Sequence, residues 1–414
     1  MSIRMVNLLK SIFIFKVKHR YHLGGVPIMT LRQFTTVEER VKALQKISQP
    51  FSERAFKHDE EGTFPFENFA DLRACGYPSL TVPQKYGGVG ISLYELIRLQ
   101  ETLAMADGST ALSIGWHMGI TKHVGELDIW DETTYKTFAE DVINRGALIN
   151  NAASERATGS PTRGGKPETT AQQTEDGWII SGRKTFTTMA PILDYFAVSA
   201  TIEGTDQVGS FLIRRELTGV SIEETWDSIA MKATGSHDLV LNNVILQTED
   251  LLEYITPSNK PAAGWLLHIP ACYLGIARAA QAYAVQFAKS YSPSSITGTI
   301  SDIPTVKQRI GEMQLKVLQS QHFLYSVAKK WDMLDVEARQ TMKQELGAVK
   351  LSVVNEAVRI VDIAMRIVGA RSLSAKNPLQ RYYRDVRAGL HNPPMDDMTI
   401  MQLADTSIQA INRD

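Results

Sequence analysis

The stretch Asn151–Ala190, NAASERATGSPTRGGKPETTAQQTEDGWIISGRKTFTTMA, decides the fold of this 414-residue chain. It is poor in helix formers and rich in Thr, Ser and Gly, and it separates two long segments of helical periodicity. Within it, Asp176-Gly177 is a tight-turn signal between two runs of strand type, Thr169–Thr174 and Trp178–Ser181. The stretch therefore predicts a β island between two helical blocks.

The rest of the chain extends this pattern into three domains. Further strand-like runs follow the island, separated by Gly, Asp and Asn turns: Tyr195–Ile202, Ser210–Ile213, Val220–Glu223 and Asp238–Leu246. We expect a mainly α protein with a central β domain: an N-terminal helical domain at 29–150, a β domain at 151–255 and a C-terminal four-helix bundle at 256–414. In the bundle, Val336–Val368 is apolar on several sides, which predicts a helix buried within it or at a subunit interface, and hence a homo-oligomer.

Two local signals add detail to this prediction. Ser92 is in the N-cap position of an amphipathic helix, Leu93–Met105, and Glu95 three residues later predicts a capping box. Asn242-Asn243 predicts a turn or bulge inside the last strand-like run.

The first 28 residues are basic and carry one short apolar patch, Ser11–Phe15. The patch is too short and its surroundings too charged to span a bilayer, and no signal-peptide pattern is present. Helix-like periodicity begins only after Met29. We hypothesise that translation starts naturally at Met29 and that residues 1–28 are an upstream extension. A basic membrane-surface helix is the alternative.

Composition argues against several classes of function. The net charge of -1 and pI of about 6.8 do not indicate a nucleic-acid partner. Cys75 and Cys272 lie far apart in helix-like contexts, so we expect them to be reduced and buried. No spacing of His and Cys argues for a metal, and neither a Walker loop nor a Rossmann glycine motif occurs. These features together predict a cytoplasmic protein.

Four stretches resemble motifs of one enzyme superfamily. They are the loop Leu80–Ser92 (LTVPQKYGGVGIS), the segment Ser154–Ser160 (SERATGS), the strand Gly177–Thr188 (GWIISGRKTFTT) and the run Met231–Val244 (MKATGSHDLVLNNV). All four are similar, in the same order, to motifs of the acyl-CoA dehydrogenase superfamily, and the likeness extends from Val37 to Asn412. The resemblance implies the fold of that family, with the three domains given above.

The resemblance also implies a flavin, FAD or alternatively FMN, lying against the β domain. By that resemblance Ala153 and Ser154 meet the pyrimidine edge of the ring, Phe186 packs on a ring face and Thr188 reaches the reactive nitrogen. The implied binding set also includes Ser160, Thr187 and Gly369. Viewed alone, the Thr-rich run around Phe186 is typical of a half-exposed strand. The same resemblance implies a homotetramer and an electron partner, either an acceptor flavoprotein or a flavin reductase.

The sequence departs from the family where the catalytic base should stand. Removing a proton next to a thioester carbonyl requires a carboxylate facing the substrate. Pro393 occupies the position of the usual glutamate, and no acid stands near Trp265, where some branches carry theirs. Ser292–Ile303 lacks the arginine motif that contacts a neighbouring subunit's FAD, and Arg366 replaces the glutamine before the family's Gly-Gly pair.

Two catalytic interpretations follow. In the first, the protein dehydrogenates an acyl-CoA, with Asp396 or Asp397 as a displaced base; a helix cap is the alternative role for this acidic pair. In the second, it resembles the flavin-dependent monooxygenases of the dibenzothiophene and sulfone type, through Gly369-Ala370-Arg371 and the segment Leu390–Pro393 (LHNP).

Oxygenase chemistry calls for neutral or cationic donors that stabilise an anion rather than for a base. His391, His117 and Thr188 are the candidates, while we expect His237 and His268 to be structural. Because Met231–Val244 is more similar to the dehydrogenase motif, we expect dehydrogenation of an acyl-CoA first and oxygenation of another small organic substrate second. A non-catalytic binding protein is the third class.

Overall fold

The computed structural model describes residues 22–23, 26–27, 30–158, 165–255 and 261–411. Two helical blocks flank a central sheet along the chain, which confirms the predicted mainly α fold with a β domain in its middle. Apart from two short paired strands, β1 (His22–Leu23) and β2 (Val26–Pro27), the basic extension and the proposed start at Met29 lie outside the described residues.

In the first helical block, a Ser, Thr or Asp side chain caps the start of four of the helices described. Its helices are α1 (Val37–Ile47), α2 (Phe51–Glu61), α3 (Phe66–Ala74), α4 (Leu93–Ala106), α5 (Gly108–Leu127) and α6 (Glu132–Arg145). The Ser92 hydroxyl accepts the Glu95 N–H at 3.1 Å and caps α4, as predicted. The predicted capping box at this helix is wrong, because the buried Glu95 carboxylate pairs with Arg40 at 2.6 Å instead.

The β domain is one twisted sheet of eight strands. These are β3 (Ile149–Ala152), β4 (Thr170–Gln173), β5 (Gly177–Thr187), β6 (Tyr195–Ile202), β7 (Val208–Arg214), β8 (Val220–Glu223), β9 (His237–Gln247) and β10 (Leu251–Tyr254), in the order β10-β7-β6-β4-β5-β9-β8 with β3 also on β6. Gln173 pairs with Trp178, so the predicted hairpin at Asp176-Gly177 is confirmed. Asn243 has a φ of 51°, and the register shifts beside it, which confirms the predicted bulge.

Strand β6 positions the candidate site. Strands β3 and β4 both run parallel to it, β3 along Tyr195–Val198 and β4 further on at Thr201–Ile202. The chain therefore leaves the sheet at Ala153, between two strands that share one partner. This exit lies next to the C-terminal end of β5, which is formed by Phe186 and Thr187.

The second helical block forms the C-terminal bundle. Its helices are α7 (His268–Ser290), α8 (Pro304–Met333), α9 (Val336–Arg339), α10 (Lys343–Val368), α11 (Pro378–Ala388) and α12 (Asp396–Ile411). A 3₁₀ turn at Gln340–Met342 breaks the predicted continuous helix of 336–368. Helix α10 packs against α7, α8 and α11, which covers much of its apolar surface within the chain.

Two further predictions about the chain meet the structure here. Cys75 and Cys272 are both free and buried, as expected, and burial raises the pKa of the Cys75 thiol to about 12. Across the described ranges, none of the helices combines the length and apolar character needed to cross a membrane.

Candidate functional site

Phe186 stands out on β5 because its backbone and its ring are both unusual. Its φ is 55°, in the left-handed region that bulky residues rarely adopt, and the register of β5 against β9 shifts between Lys184 and Thr187. The ring is 66% exposed and meets only an edge of Trp226, at 5.9 Å between centroids. Such strain persists where the surroundings impose it, often at binding sites. The structure thus offers an exposed aromatic face at the predicted position.

A chain of hydrogen-bonded hydroxyl groups begins at Thr188, two residues after Phe186. Thr188 Oγ1 lies 3.0 Å from Ser236 Oγ, which lies 2.8 Å from Thr234 Oγ1. Thr234 Oγ1 in turn donates to the Met231 carbonyl at 2.9 Å. Thr188 is also held by its own backbone, since its carbonyl accepts from the Asn150 side chain at 3.0 Å. The predicted Thr188 hydroxyl is therefore fixed in place by Ser236 and, through it, Thr234, which lie just before β9.

The exit of β3 is tied to β5 by a backbone bond and a buried ion pair. The Ser154 carbonyl accepts from Thr185 N at 2.8 Å, and next to it Glu155 Oε1 lies 2.6 Å from Lys184 Nζ. Both charged side chains are almost fully buried. Burial alone would raise the pKa of Glu155. The bonds from Lys184, the Glu168 N–H, and the Thr169 hydroxyl and N–H outweigh burial and lower this pKa to about 2.

The other residues predicted to bind the cofactor differ from one another in position and burial. Ala153 and Ser154 are half-buried and lie at the exit of β3, beside β5. The Thr187 side chain is fully buried, and its hydroxyl has no partner among the described residues, as is also true of Thr185. Gly369 lies elsewhere, exposed at the end of α10 with a φ of 70°. Ser160 lies outside the described residues.

Helix α11 is clamped to the loop that leads into β9. Asp385 accepts the Met231 N–H at 2.7 Å, and Trp226 Nε1 donates to the Met231 carbonyl at 3.2 Å. Arg384 bonds to the Ile229 carbonyl on the same loop. Burial raises the pKa of Asp385 to about 7. The bundle therefore touches the residues that hold Trp226 and, through it, Phe186.

The C-terminal candidates lie beyond α11. His391 is exposed at the end of a 3₁₀ turn, while the neighbouring Asn392 side chain accepts from the buried Tyr273 hydroxyl at 2.6 Å. Asp396 is bonded through both oxygens, to Lys350 at 3.2 Å and to Asn355 at 2.9 Å. Asp397 is exposed in the first turn of α12 and bonds only to the next backbone N–H. Asp396 and Asp397 thus lie in the first turn of α12, the position expected for their alternative role as a helix cap.

His117 is placed as a structural residue. It is fully buried on α5, its Nδ1 accepts the Ile149 N–H at 3.2 Å, and its Nε2 donates to the Pro78 carbonyl at 3.1 Å. Burial lowers its pKa to about 4. Both ring nitrogens are therefore occupied by backbone groups, and we no longer include His117 among the catalytic candidates.

The two histidines that we expected to be structural behave differently from each other. His237 Nδ1 accepts the Trp226 N–H at 3.1 Å, which is a structural role. His268 is fully buried at the start of α7, and neither of its ring nitrogens has a partner among the described residues. No local signal distinguishes these histidines in the sequence, because the partners come from distant segments.

The groups around Phe186 fit a flavin ring. A flavin needs an apolar face together with a few polar groups at its heteroatoms. The exposed Phe186 ring supplies the face, the Thr188 hydroxyl supplies a fixed polar contact, and the Ala153-Ser154 backbone lies at the neighbouring strand exit. The buried hydroxyls of Thr185 and Thr187 lack protein partners on the same strand. The hydroxyl groups around Phe186 are uncharged and can contact the ring heteroatoms.

Comparison with known proteins agrees with this architecture. Sequence models of the acyl-CoA dehydrogenase N-terminal, middle and C-terminal domains match residues 36–125, 150–244 and 267–392. The putative acyl-CoA dehydrogenase YdbM of Bacillus subtilis (strain 168) is 53% identical over 365 residues, which cover 88% of this chain and 95% of that protein.

More distant relatives include oxygenases. A dibenzothiophene monooxygenase of Rhodococcus qingshengii is 26% identical, over 85% of this chain and 89% of that protein. A crystal structure of KijD3 in complex with FMN and a dTDP-linked sugar superposes with a TM-score of 0.80 at 24% identity, covering 92% of this chain and 96% of the other. Because three domain models in order cover most of the chain and one relative shares half of its residues, the protein belongs to the acyl-CoA dehydrogenase family.

Proposed function

We propose that this protein is a flavin-dependent monooxygenase within the acyl-CoA dehydrogenase family. It would oxygenate a small organic substrate with reduced flavin from a separate reductase. This reverses the order in which we ranked the two activities from sequence. The observation that carries the proposal is the pairing of Asp396, one of the two candidate bases, with Lys350 and Asn355.

A general base must lie within hydrogen-bond reach of the proton that it takes and must have a pKa suited to the transfer. Both Asp396 oxygens are already bonded, one to the buried Lys350 and one to Asn355. Asp397 is exposed, and Pro393 occupies the usual position of the base. Asp396 is thus held as the counter-charge of Lys350, and dehydrogenation has no acid at the family's usual position, whereas oxygenation does not require a base.

The flavin would be held at the β3 exit and the far end of β5. Phe186 would pack on the ring, Thr188 would meet a ring heteroatom, and Ala153 and Ser154 would border the ring edge. When bound in its reduced form, a flavin supplies the two electrons that, with two protons, turn one atom of O₂ into water while the other enters the substrate. FMN is the form we favour, with FAD as the alternative.

The direction of the hydrogen bonds among Thr234, Ser236 and Thr188 favours a reduced flavin ring. Thr234 uses its single hydrogen on the Met231 carbonyl, so Ser236 must donate to Thr234. The hydrogen between Thr188 and Ser236 must then come from Thr188. Thr188 Oγ1 consequently presents lone pairs outward and accepts. A reduced flavin carries more ring N–H donors than an oxidised one, so this polarity supports binding of the reduced form.

Two further residues have roles in the proposal. His391, exposed near the end of α11, remains the candidate donor for an oxygen anion. Gly369, exposed at the end of α10, would contact a cofactor only across a subunit interface, as the proposed homotetramer would provide.

Acyl-CoA dehydrogenation is the second candidate. It is supported by the 53% identity to a relative that is itself named a putative acyl-CoA dehydrogenase. If this activity is correct, the base comes from a residue that neither the sequence nor the contacts of Asp396 indicate.

Anaerobic and aerobic reactions separate the two activities. We would reconstitute the full chain with FMN or FAD and mix the oxidised form, without oxygen, with a panel of acyl-CoA thioesters. Loss of flavin absorbance with any of them would support dehydrogenation and contradict our proposal. The reduced form would then be mixed with labelled O₂ and a panel of aromatic sulfides and amines. Incorporation of labelled oxygen into a product is the result we expect.

A pair of histidine variants tests the donor role. We expect His391→Ala to bind flavin normally and to couple less of the consumed oxygen to product. His322→Ala, at an exposed histidine on α8, is the matched control and should behave as the wild type. Equal coupling in both variants would remove His391 from the site.

A further inference from the structure

A second group of polar and aromatic residues, two of them fully buried, lies between the two helical blocks. It consists of Gln100 on α4, Trp116 and His123 on α5, and Trp265 and His268 at the start of α7, and we call it the His268 cluster. The His268 ring lies 4.8 Å from the Trp116 ring and 6.0 Å from the Trp265 ring, between centroids. Trp265 also lies 6.0 Å from His123. Three separate helices therefore contribute to one compact group.

Two glycines on α5 make room for this cluster. A Cβ on Gly115 would lie 2.4 Å from His268 Nδ1 and 2.6 Å from Gln100 Nε2. A Cβ on Gly119, one turn later, would lie 2.4 Å from a carbon of the Trp265 ring. Real side chains do not approach so closely, so only glycine permits the imidazole and the indole to lie on the helix backbone. The cluster is thus built into the helix packing.

Four buried polar atoms of the cluster have no partner in the described part of the chain. Gln100 Nε2 donates to the Ala111 carbonyl at 2.6 Å, which leaves Oε1 as an unused acceptor. Among the described residues, Gln100 Oε1, Trp265 Nε1 and both nitrogens of His268 are buried and unbonded. Each such atom costs roughly 1–3 kcal/mol if nothing bonds to it, and native proteins contain few of them. Four in one group indicate a ligand that completes them.

The cluster is electrically neutral. Burial lowers the pKa of His268 to about 3 and that of His123 to about 4, so neither ring is charged at neutral pH. None of the ion pairs in the described ranges involves a member of the cluster. A carboxylate or ammonium group placed here would remain uncompensated, which is strongly unfavourable in a buried site.

We propose that the His268 cluster binds an uncharged polar group of the substrate, such as a carboxamide or a hydroxyl, that both donates and accepts hydrogen bonds. The ligand would donate to Gln100 Oε1 and accept from Trp265 Nε1. Neutral His268 supplies one donor and one acceptor of its own. This inference rests on the proposed function in one respect, that the ligand is the substrate.

The position of the cluster suits that role. Its outer residues, Trp116, His123 and Trp265, are only half-buried, so the fully buried His268 lies behind an aromatic rim. On α5, His117 follows Trp116 directly and bonds to Ile149 N at the start of β3, the strand that ends at the proposed flavin edge. One helix therefore connects the cluster with the flavin bed.

Four small probes of equal length test the chemistry without requiring turnover. The full-length protein, labelled with ¹⁵N-histidine, would be titrated at neutral pH with butanamide, 1-butanol, butyrate and butylamine. We expect butanamide and butanol to shift the ring ¹⁵N signals of His268 and to change tryptophan fluorescence. Butyrate and butylammonium should bind at least about tenfold more weakly, if at all.

Variants assign the signals and separate the outcomes. His268→Leu should abolish the response, while His322→Leu, at an exposed histidine, should keep it. Gly115→Ala, which places a methyl group against His268 Nδ1, should weaken binding of butanamide. Equal binding of charged and uncharged probes, or no shift of His268 with any probe in the wild type, would overturn the proposal. Because the titration requires neither flavin nor oxygen, its outcome is independent of the oxygenase test.

Discussion

Replacing Lys184 by Met tests whether the buried ion pair holds the flavin bed together. The change removes the ammonium group 2.6 Å from Glu155 Oε1 and leaves a carboxylate whose side chain is only 2% exposed. Loss of one partner of a buried pair typically costs about 3–5 kcal/mol, because the remaining charge is uncompensated. The lowered pKa of Glu155, about 2 against an ordinary 4.5, corresponds to a net preference of about 3 kcal/mol for the ionised carboxylate in the folded protein, after the cost of burial is subtracted. We therefore expect a loss of about 3 kcal/mol.

The pH dependence of stability follows from the same pKa. A carboxyl group whose pKa is lowered by folding contributes its full stability above the unfolded value of about 4.5. That contribution is lost as the pH falls through the folded value of about 2. The wild type should lose roughly 3 kcal/mol between pH 4.5 and pH 2 from this group, and Glu155→Gln should lose correspondingly less over the same interval.

Urea unfolding monitored by tryptophan fluorescence provides the measurement, with Trp178 on β5 as a local reporter. The matched control is the double variant Glu155→Gln/Lys184→Met, in which no charge is left unpaired, and it should be more stable than Lys184→Met alone. If the free energy of unfolding of Lys184→Met lay within about 0.5 kcal/mol of the wild-type value, the reasoning would be refuted. A double variant less stable than the single one would do so too.

Three further substitutions test individual placements. Phe186→Gly should stabilise the flavin-free protein by about 1 kcal/mol by relieving the left-handed backbone, yet weaken FMN binding in a fluorescence titration; unchanged affinity would show that the ring does not contact the cofactor. His117→Leu should lower the free energy of unfolding in urea by about 2–4 kcal/mol, because the Ile149 N–H and the Pro78 carbonyl both lose their bonds to the imidazole. The pH profile of turnover should stay unchanged, and a displaced profile would restore a catalytic role. Asp396→Asn should lower the thermal midpoint, since the buried Lys350 loses its counter-charge, and keep turnover within about twofold; a hundredfold loss would identify Asp396 as the base.

The strands were predictable because their signals are local. The runs Tyr195–Ile202 and Val220–Glu223 match the observed strands residue for residue, since turn residues bound them on both sides. The hairpin at Asp176-Gly177 formed for the same reason. The extension of β5 to Thr187 was missed, because glycine and charged residues in its middle obscure the alternation. The short strands β3 and β10 were not predicted either.

The groups that determine the chemistry were not predictable, because their partners are distant in sequence. Glu95 has the spacing of a capping box, but the more distant Arg40 binds its carboxylate. Nothing local distinguishes His268 from a satisfied core histidine. Its unusual state arises only because three helices converge on it and none supplies a hydrogen-bond partner among the described residues.

The charged groups near the proposed flavin bed have structural partners, and this limits the chemistry available to the site. Glu155 is neutralised by Lys184, Asp396 by Lys350, and Asp385 holds the Met231 N–H. What remains around Phe186 and in the His268 cluster is a set of neutral hydroxyl, amide, indole and imidazole groups. Such a set can orient a substrate and stabilise a developing anion, but it contains no carboxylate to take the proton next to a thioester carbonyl. The neutrality of both sites therefore favours oxygenation of an uncharged polar substrate over dehydrogenation of a thioester.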